Sequence, residues 1–264
     1  MKAPLPSKLY KYQSCNENAR NNLRGRSIWF SKPESFNDPF DCNVNFPLGD
    51  ITEESLELLF TSLREKSPNN KDFDRIYHSD GKVTKLFKEH AIESFRKAAS
   101  KLGDIFASLG VVCFAEKNDD ILMWSHYAAS HKGFCLEFDT TKFPFTSTNN
   151  LDQNVVLERV SYSNSLPLVS LEDIKPNHLP VLSRKLLSVK SLHWSYEKEW
   201  RLFSNPGDVA HPYDNAALTG IYLGCKIEDD NKKIIRSILQ GTSTSIYEME
   251  KSKTEFKIAP REVR

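Results

Sequence analysis

Two glutamates and an arginine alternate through an aromatic stretch, Trp194-Ser195-Tyr196-Glu197-Lys198-Glu199-Trp200-Arg201-Leu202-Phe203. Read as a β-strand, the segment turns Glu197, Glu199 and Arg201 to one face and Lys198, Trp200 and Leu202 to the other. Same-face neighbours on a strand stand roughly 6.5–7 Å apart, so one small ligand reaches both carboxylates. Paired acids can divide acid–base work and charge stabilisation between them, and a guanidinium can fix an anion bidentately. The plain alternative is a salt-bridged strand in which Arg201 or a neighbouring lysine pairs each acid. Two acids among tryptophan and tyrosine still need a reason to tolerate desolvation, which favours a functional reading.

Two further clusters compete with structural explanations. Trp124-Ser125-His126-Tyr127 gathers flat rings with polar edges, able to stack a planar ligand, although aromatic residues on an amphipathic helix commonly serve the core. In Ser35-Phe36-Asn37-Asp38-Pro39-Phe40-Asp41, Asn and Asp before Pro favour a turn that the two phenylalanines would pin to the core. The alternative there is that Asn37 or Asp38 holds a ligand or the glutamate strand. Metal-dependent nuclease chemistry would need Glu197 and Glu199 to converge with Asp38 or Asp41 on Mg²⁺, and nothing in the spacing shows that they do. No phosphate loop, dinucleotide fingerprint, nucleophile elbow or H-E-x-x-H occurs. His126 and His131 stand five apart, not the four that would let two histidines share a metal on one helical face, so no metal site is expected.

The elements positioning these residues follow from periodicity. Strands are expected at Leu9–Tyr12, Ser27–Ser31, Leu109–Phe114, Phe134–Phe138 (half-buried), Val155–Tyr162, Glu197–Phe203, Ala217–Leu223, Ser245–Glu250 and Glu255–Ile258. Helices are expected at Asn16–Arg26, from Thr52 through Leu63, from Val83 to Leu102 with Gly103 as its stop, after Asp119 or Asp120 to Tyr127, at Leu179–Val189 and at Asn231–Gln240. Residues 65–81 read as loop. Strands and helices mix without a βαβ rhythm, which predicts a single α+β domain over residues 1–264, its sheets mixed and mainly antiparallel with flanking helices.

Bulk properties narrow the classes. With 36 basic and 35 acidic side chains, no global field draws the chain to nucleic acid or to an anionic membrane. Five dispersed cysteines without paired spacing suit reduced thiols. No signal-peptide core or membrane-length apolar run is found, so a cytoplasmic protein without membrane partners is expected.

Taken in order, L-Y-K-Y, I-W-F-S-x-P-x-x-F-N-D-P-F-D, V-C-F-x-E, M-W-S-H-Y-A-x-x-H-x-G-F, W-x-Y-E-x-E-W-R and I-Y-L-G resemble a bacterial family classified as a domain of unknown function, over roughly residues 9–225. That family is met in mobile and defence-associated gene neighbourhoods. More distantly, relatives with L-Y-H-Y in place of this L-Y-K-Y resemble the opening strand of ADP-ribosyltransferases. The resemblance implies that fold and an NAD substrate, with Lys11, Ser31 (or Trp29) and Glu199 at the three superfamily positions and Glu197 completing E-x-E; lysine stands at 11 where histidine or arginine is usual. It further implies that Tyr12, Trp29 or Trp124 sandwiches nicotinamide, with Tyr127 nearby, and that Lys11 or Arg201 meets the diphosphate. A protein or nucleic acid would accept ADP-ribose, or water would, in a phage-defence or toxin effector. The rival class is a non-catalytic module binding a nucleotide signal or a partner protein.

Overall fold

A computed structural model of the chain describes residues 4–42, 49–66, 70–142, 157–171, 173, 182 and 185–263. In chain order the strands are β1 (Lys8–Gln13), β2 (Ser27–Phe30), β3 (His78–Ser79), β4 (Lys82–Val83), β5 (Gly110–Ala115), β6 (Phe134–Asp139), β7 (Glu158–Arg159), β8 (Ser161–Ser163), β9 (Val189–Ser191), β10 (Glu199–Ser204), β11 (Val209–Pro212), β12 (Leu218–Leu223), β13 (Ser245–Lys251) and β14 (Ile258–Glu262). The helices are α1 (Glu17–Arg24), α2 (Glu53–Lys66), α3 (Lys71–Tyr77), α4 (Lys85–Ser108), α5 (Ile121–Tyr127) and α6 (Asp229–Ile238). The chain divides into two compact units, residues 1–35, 109–162 and 192–264 in one, and 36–108 with 163–191 in the other.

The first unit is built on an eight-stranded sheet in the order β14-β13-β12-β6-β1-β5-β10-β7. Only β12 and β13 pair in parallel; the other neighbours in this sheet are antiparallel. The expected α+β class with a mainly antiparallel sheet is therefore what the chain adopts. Side-chain alternation sorts the sheet into two faces. Leu9, Phe114, Phe134, Leu136, Phe138, Trp200, Leu202, Ile221 and Leu223 join a core completed by Ala19 and Leu23 of α1 and Ile235 of α6. Tyr12, Ala115, Cys135, Tyr222 and Met249 form the other core with Met123 and Trp124 of α5.

Local chemistry sets the helix starts. The Asn16 side chain accepts from the Ala19 N–H, and that of Asp120 from the Leu122 and Met123 N–H groups, satisfying donors that a first turn leaves open. After α5 the backbone passes through three left-handed residues, Ala129, Ser130 and His131. Gly133 ends this turn, and a Cβ there would collide with the Gln13 carbonyl. The close approach ties the turn to β1.

The second unit holds α2, α3, α4 and the β3–β4 hairpin. Phe60, Phe73, Tyr77 and Phe87 pack as one aromatic cluster, Phe60 and Phe73 stacking at 5.2 Å. Residues 70–77 therefore depart from the expected loop. Asn70 caps α3 by accepting from the Phe73 N–H, and Phe73 and Tyr77, one turn apart, supply its apolar face. Helix α4 likewise runs past Gly103, the expected stop, because Gly103 is buried and Phe106 extends the stripe beneath it.

Other differences are smaller. β6 is buried on both faces instead of half-buried. β11, unanticipated, pairs antiparallel with β2, and β14 begins at Ile258 where the expected strand ended. Of the expected strand Val155–Tyr162, residues 155 and 156 lie outside the described residues. So do 179–181, 183 and 184 of the expected helix Leu179–Val189, whose last residue instead opens β9.

Candidate functional site

The glutamate segment is not one strand. Leu192–Glu197 forms a 3-10 turn, Lys198 takes a left-handed conformation at φ 46°, and β10 begins at Glu199. The break corrects the expectation that Glu197, Glu199 and Arg201 share a strand face by alternation. From Glu199 onward that alternation applies. Trp200 and Leu202 enter one core, while Glu199 and Arg201 sit opposite Ala115 and Cys113 of β5 on the other face.

Both acids are buried and engaged. The Arg201 Nε donates to Glu199 Oε1 at 2.6 Å and its Nη2 to Oε2 at 3.0 Å, with the guanidinium fully buried. The Tyr162 hydroxyl accepts from the Glu199 backbone N–H at 2.9 Å. Glu197, also buried, accepts at Oε1 from the Tyr127 hydroxyl at 2.6 Å. Helix α5 delivers that tyrosine, which joins one candidate from the Trp-Ser-His-Tyr cluster to one from the glutamate segment. Fixed carboxylates facing hydroxyl and guanidinium donors suit recognition of hydroxyls or stabilisation of developing positive charge.

The remaining candidates are placed less favourably. Tyr12 lies on the Glu199 face, but it is buried and its hydroxyl donates to the Lys117 carbonyl at 2.8 Å. Trp124 is fully buried, edge-on to Tyr12 and stacked on His131, so its ring serves the core instead of offering a platform. Lys11 pairs with Leu136, out of phase with Tyr10 and Tyr12, and its Nζ stands 6.0 Å from the Phe114 ring centroid. That register sets Lys11 on the sheet face opposite Glu199. Burial lowers its ammonium pKa. Ser31 bridges Val111, which shares the Glu199 face but lies four residues from Ala115, about 13 Å along the strand. Trp29 is 41% exposed on β2, paired with Ala210.

Asn37, Asp38 and Asp41 belong to the other unit, where the turn explanation suffices. Asp38 accepts from the Phe40 N–H at 2.9 Å, and Asp41 forms a buried ion pair with Lys190 at 3.2 Å. Asn37 is exposed. Phe40, expected to pin the turn, is 60% exposed. Among the described residues no group of three or more His, Cys, Asp or Glu side chains is arranged to hold a metal ion, and no helix is long and apolar enough to cross a membrane.

One constellation was not anticipated. Glu137 on β6 is buried beneath Lys8, Thr219 and Tyr222, accepting from them at 2.7, 2.8 and 2.5 Å. Tyr10 packs edge-on against Tyr222, which stacks on Tyr247 at 4.7 Å. Burial alone would raise the Glu137 pKa, but hydrogen bonds from Lys8, Tyr222 and Thr219 reverse this and leave it lowered. The alternation of Phe134, Leu136 and Phe138 made Glu137 look solvent-facing. Its flanking Cys135, a residue type usually buried, was the available signal.

Burial also lowers the pKa of His131 and of His211, whose Nε2 lies 2.6 Å from the Ser204 hydroxyl. A histidine with a lowered folded pKa takes up its proton first in the unfolded chain, near pH 6.5. Its stabilising contribution is therefore complete above that value and declines as pH falls toward the folded pKa. We expect Tm to be level from about pH 7 to 8 and to fall below about 6.5. Glu137 adds a second loss below about pH 4.5, because its folded pKa is lowered. Thermal melts across pH check this, and His211→Gln should flatten the first decline. A Tm unchanged from pH 7 to 5 would contradict it.

Residues 123–202 match a family model described as a protein of unknown function, DUF2971. The matched stretch carries Trp124, Tyr127, Glu137, Glu197, Glu199 and Arg201 together. No curated protein and no solved structure matches the chain. What the comparison establishes is a DUF2971 match over the segment that holds both site carboxylates.

Proposed function

We propose that the chain is an ADP-ribosyltransferase-like protein that binds NAD beside Glu197 and Glu199 and transfers ADP-ribose or hydrolyses NAD. The observation carrying this reading is the pair of buried carboxylates, each held in a set orientation by its own donor, Tyr127 or Arg201. In the reaction the bond between nicotinamide and ribose breaks, and nicotinamide leaves with the bonding electrons. The anomeric carbon gains oxocarbenium character, which an oriented carboxylate stabilises; we assign this to Glu199. Glu197 takes the proton from the incoming water or acceptor hydroxyl as the new C–O bond forms. Neither Lys11, on the other face, nor Ser31, about 13 Å along the strand, takes part in this scheme, so it rests on the two carboxylates and not on the three superfamily positions. The setting of a phage-defence or toxin effector rests on the family resemblance, not on the geometry.

Purified protein incubated with NAD should release nicotinamide, and Glu199→Gln and Glu197→Gln should each lower the rate by about two orders of magnitude. The rates are measured below the melting temperature of each variant, because Glu199→Gln leaves the Arg201 charge buried without its carboxylate. Release at the wild-type rate by both variants, or none by wild type, would defeat the proposal. A second reading, a nucleotide-binding module without turnover, is favoured by one specific observation. Arg201 engages both oxygens of Glu199, leaving less of the carboxylate to meet a ribose hydroxyl. Ligand-induced stabilisation that survives Glu199→Gln, without nicotinamide release, would select it.

A further inference from the structure

On the sheet face opposite Glu199, the ends of α1 and α6 flank a cavity of about 370 Å³. Its floor is buried and includes Leu23, Leu218 and Tyr213. Arg24 and Arg26 stand at its rim with the Thr242–Thr244 loop, and no acidic side chain lines it among the described residues. Asp214, next to Tyr213 in sequence, caps the Ala216 N–H at 2.7 Å. The Tyr213 hydroxyl is buried and has no hydrogen-bond partner. Leaving such a group unpaired costs free energy that a ligand acceptor would recover.

We propose that this cavity binds a small sugar phosphate, with its phosphoryl group between Arg24, Arg26 and the Tyr213 hydroxyl. Two guanidiniums bring two full positive charges. The carboxyl ends of α1 and α6 oppose them with about half a negative charge each, so the rim is net positive by roughly one charge. Guanidiniums and a tyrosine hydroxyl can all donate to phosphoryl oxygens, bidentately in the case of arginine. Burial raises the Tyr213 pKa to about 12, against the lowering effect of Arg26, so the hydroxyl keeps its proton at neutral pH. The other wall has the complementary character. Thr242 donates to the Leu239 carbonyl at 2.8 Å while accepting from the Thr244 N–H at 3.4 Å, and Thr244 donates to the Leu218 carbonyl at 3.1 Å, which leaves each hydroxyl lone-pair capacity to accept from a sugar hydroxyl. Gly241, at φ 80°, makes the turn that presents this loop.

Calorimetric titration of the full chain with ribose 5-phosphate, ribose and inorganic phosphate tests the proposal. Ribose 5-phosphate should bind about tenfold tighter than either fragment, because each fragment keeps only one wall's contacts. Arg26→Gln should weaken it about tenfold or more, and Tyr213→Phe about fivefold without lowering Tm, since that change removes only an unpaired buried hydroxyl. No binding of ribose 5-phosphate at millimolar concentration, equal affinity for ribose, or undiminished binding by both variants would overturn it. Glu199→Gln should leave this binding intact, so the outcome is independent of NAD turnover.

Discussion

Replacing Arg201 by Met is expected to destabilise the folded chain by roughly 3–5 kcal/mol, the usual consequence of removing one partner from a buried ion pair. The guanidinium is fully buried, and both of its bonds to Glu199 lie where water cannot replace them. Taking an ion from water costs several kcal/mol, and the folded chain offsets that only while the two charges meet with good geometry. Met fills a similar volume but leaves the Glu199 carboxylate facing a thioether. The double variant Arg201→Met, Glu199→Leu removes both charges and should recover much of the loss. Urea melts of wild type, the two singles and the double measure this directly. The two single losses should together exceed the double by at least about 2 kcal/mol. A cost below about 1 kcal/mol for Arg201→Met would mean that the pair contributes no more than a surface salt bridge. A double variant as stable as wild type would show that folding does not need the pair, which leaves a chemical reason for keeping two charges there.

Much of the sheet was legible because alternation is a local signal. Trp200 and Leu202 enter one core and Glu199 and Arg201 the other face, as a period of two requires. Glu197 escaped that logic because one left-handed residue, Lys198, breaks the strand, and no residue type at 198 announces it. Helix α3 escaped because only Phe73 and Tyr77 mark its apolar face, and what stabilises them is contact with Phe60 and Phe87 from other helices. The polar site is harder still to read. Glu137 meets Lys8 across 129 positions, and Asp41 meets Lys190 across a comparable span. A buried acid and its partner share no pattern in sequence; topology alone brings them together. Tyr127 and Glu197 show the same limit from the favourable side, since each was identifiable as a candidate but their hydrogen bond was not.

Trp124 was a candidate platform for a planar ligand, and its substitution separates platform from core. Trp124→Ala is expected to cost about 3–5 kcal/mol, as large aromatic deletions in cores do. In a chain of this size that lowers Tm by on the order of 10 °C. The indole is fully buried, its Nε1 donates to the Asn118 carbonyl at 2.7 Å, and Tyr12 meets it edge-on with ring centroids 5.3 Å apart. His131 lies nearly parallel to it, with centroids 6.3 Å apart. A ligand ring would have to displace one of these neighbours before it could stack. Trp124→Phe should fall between, at about 1–3 kcal/mol, because it keeps an aromatic ring but leaves the Asn118 carbonyl without its donor. Thermal melts of the two variants, run beside a nucleotide-binding assay, give opposite patterns for the two roles. A platform residue would leave Tm within about 1 °C and abolish binding, since a ring facing solvent contributes little to folding. A core residue lowers Tm first and affects binding only through the position of α5, which carries Tyr127 to Glu197. Burial this complete favours the second pattern, and with it a site organised around carboxylates and tyrosine hydroxyls, not around an indole.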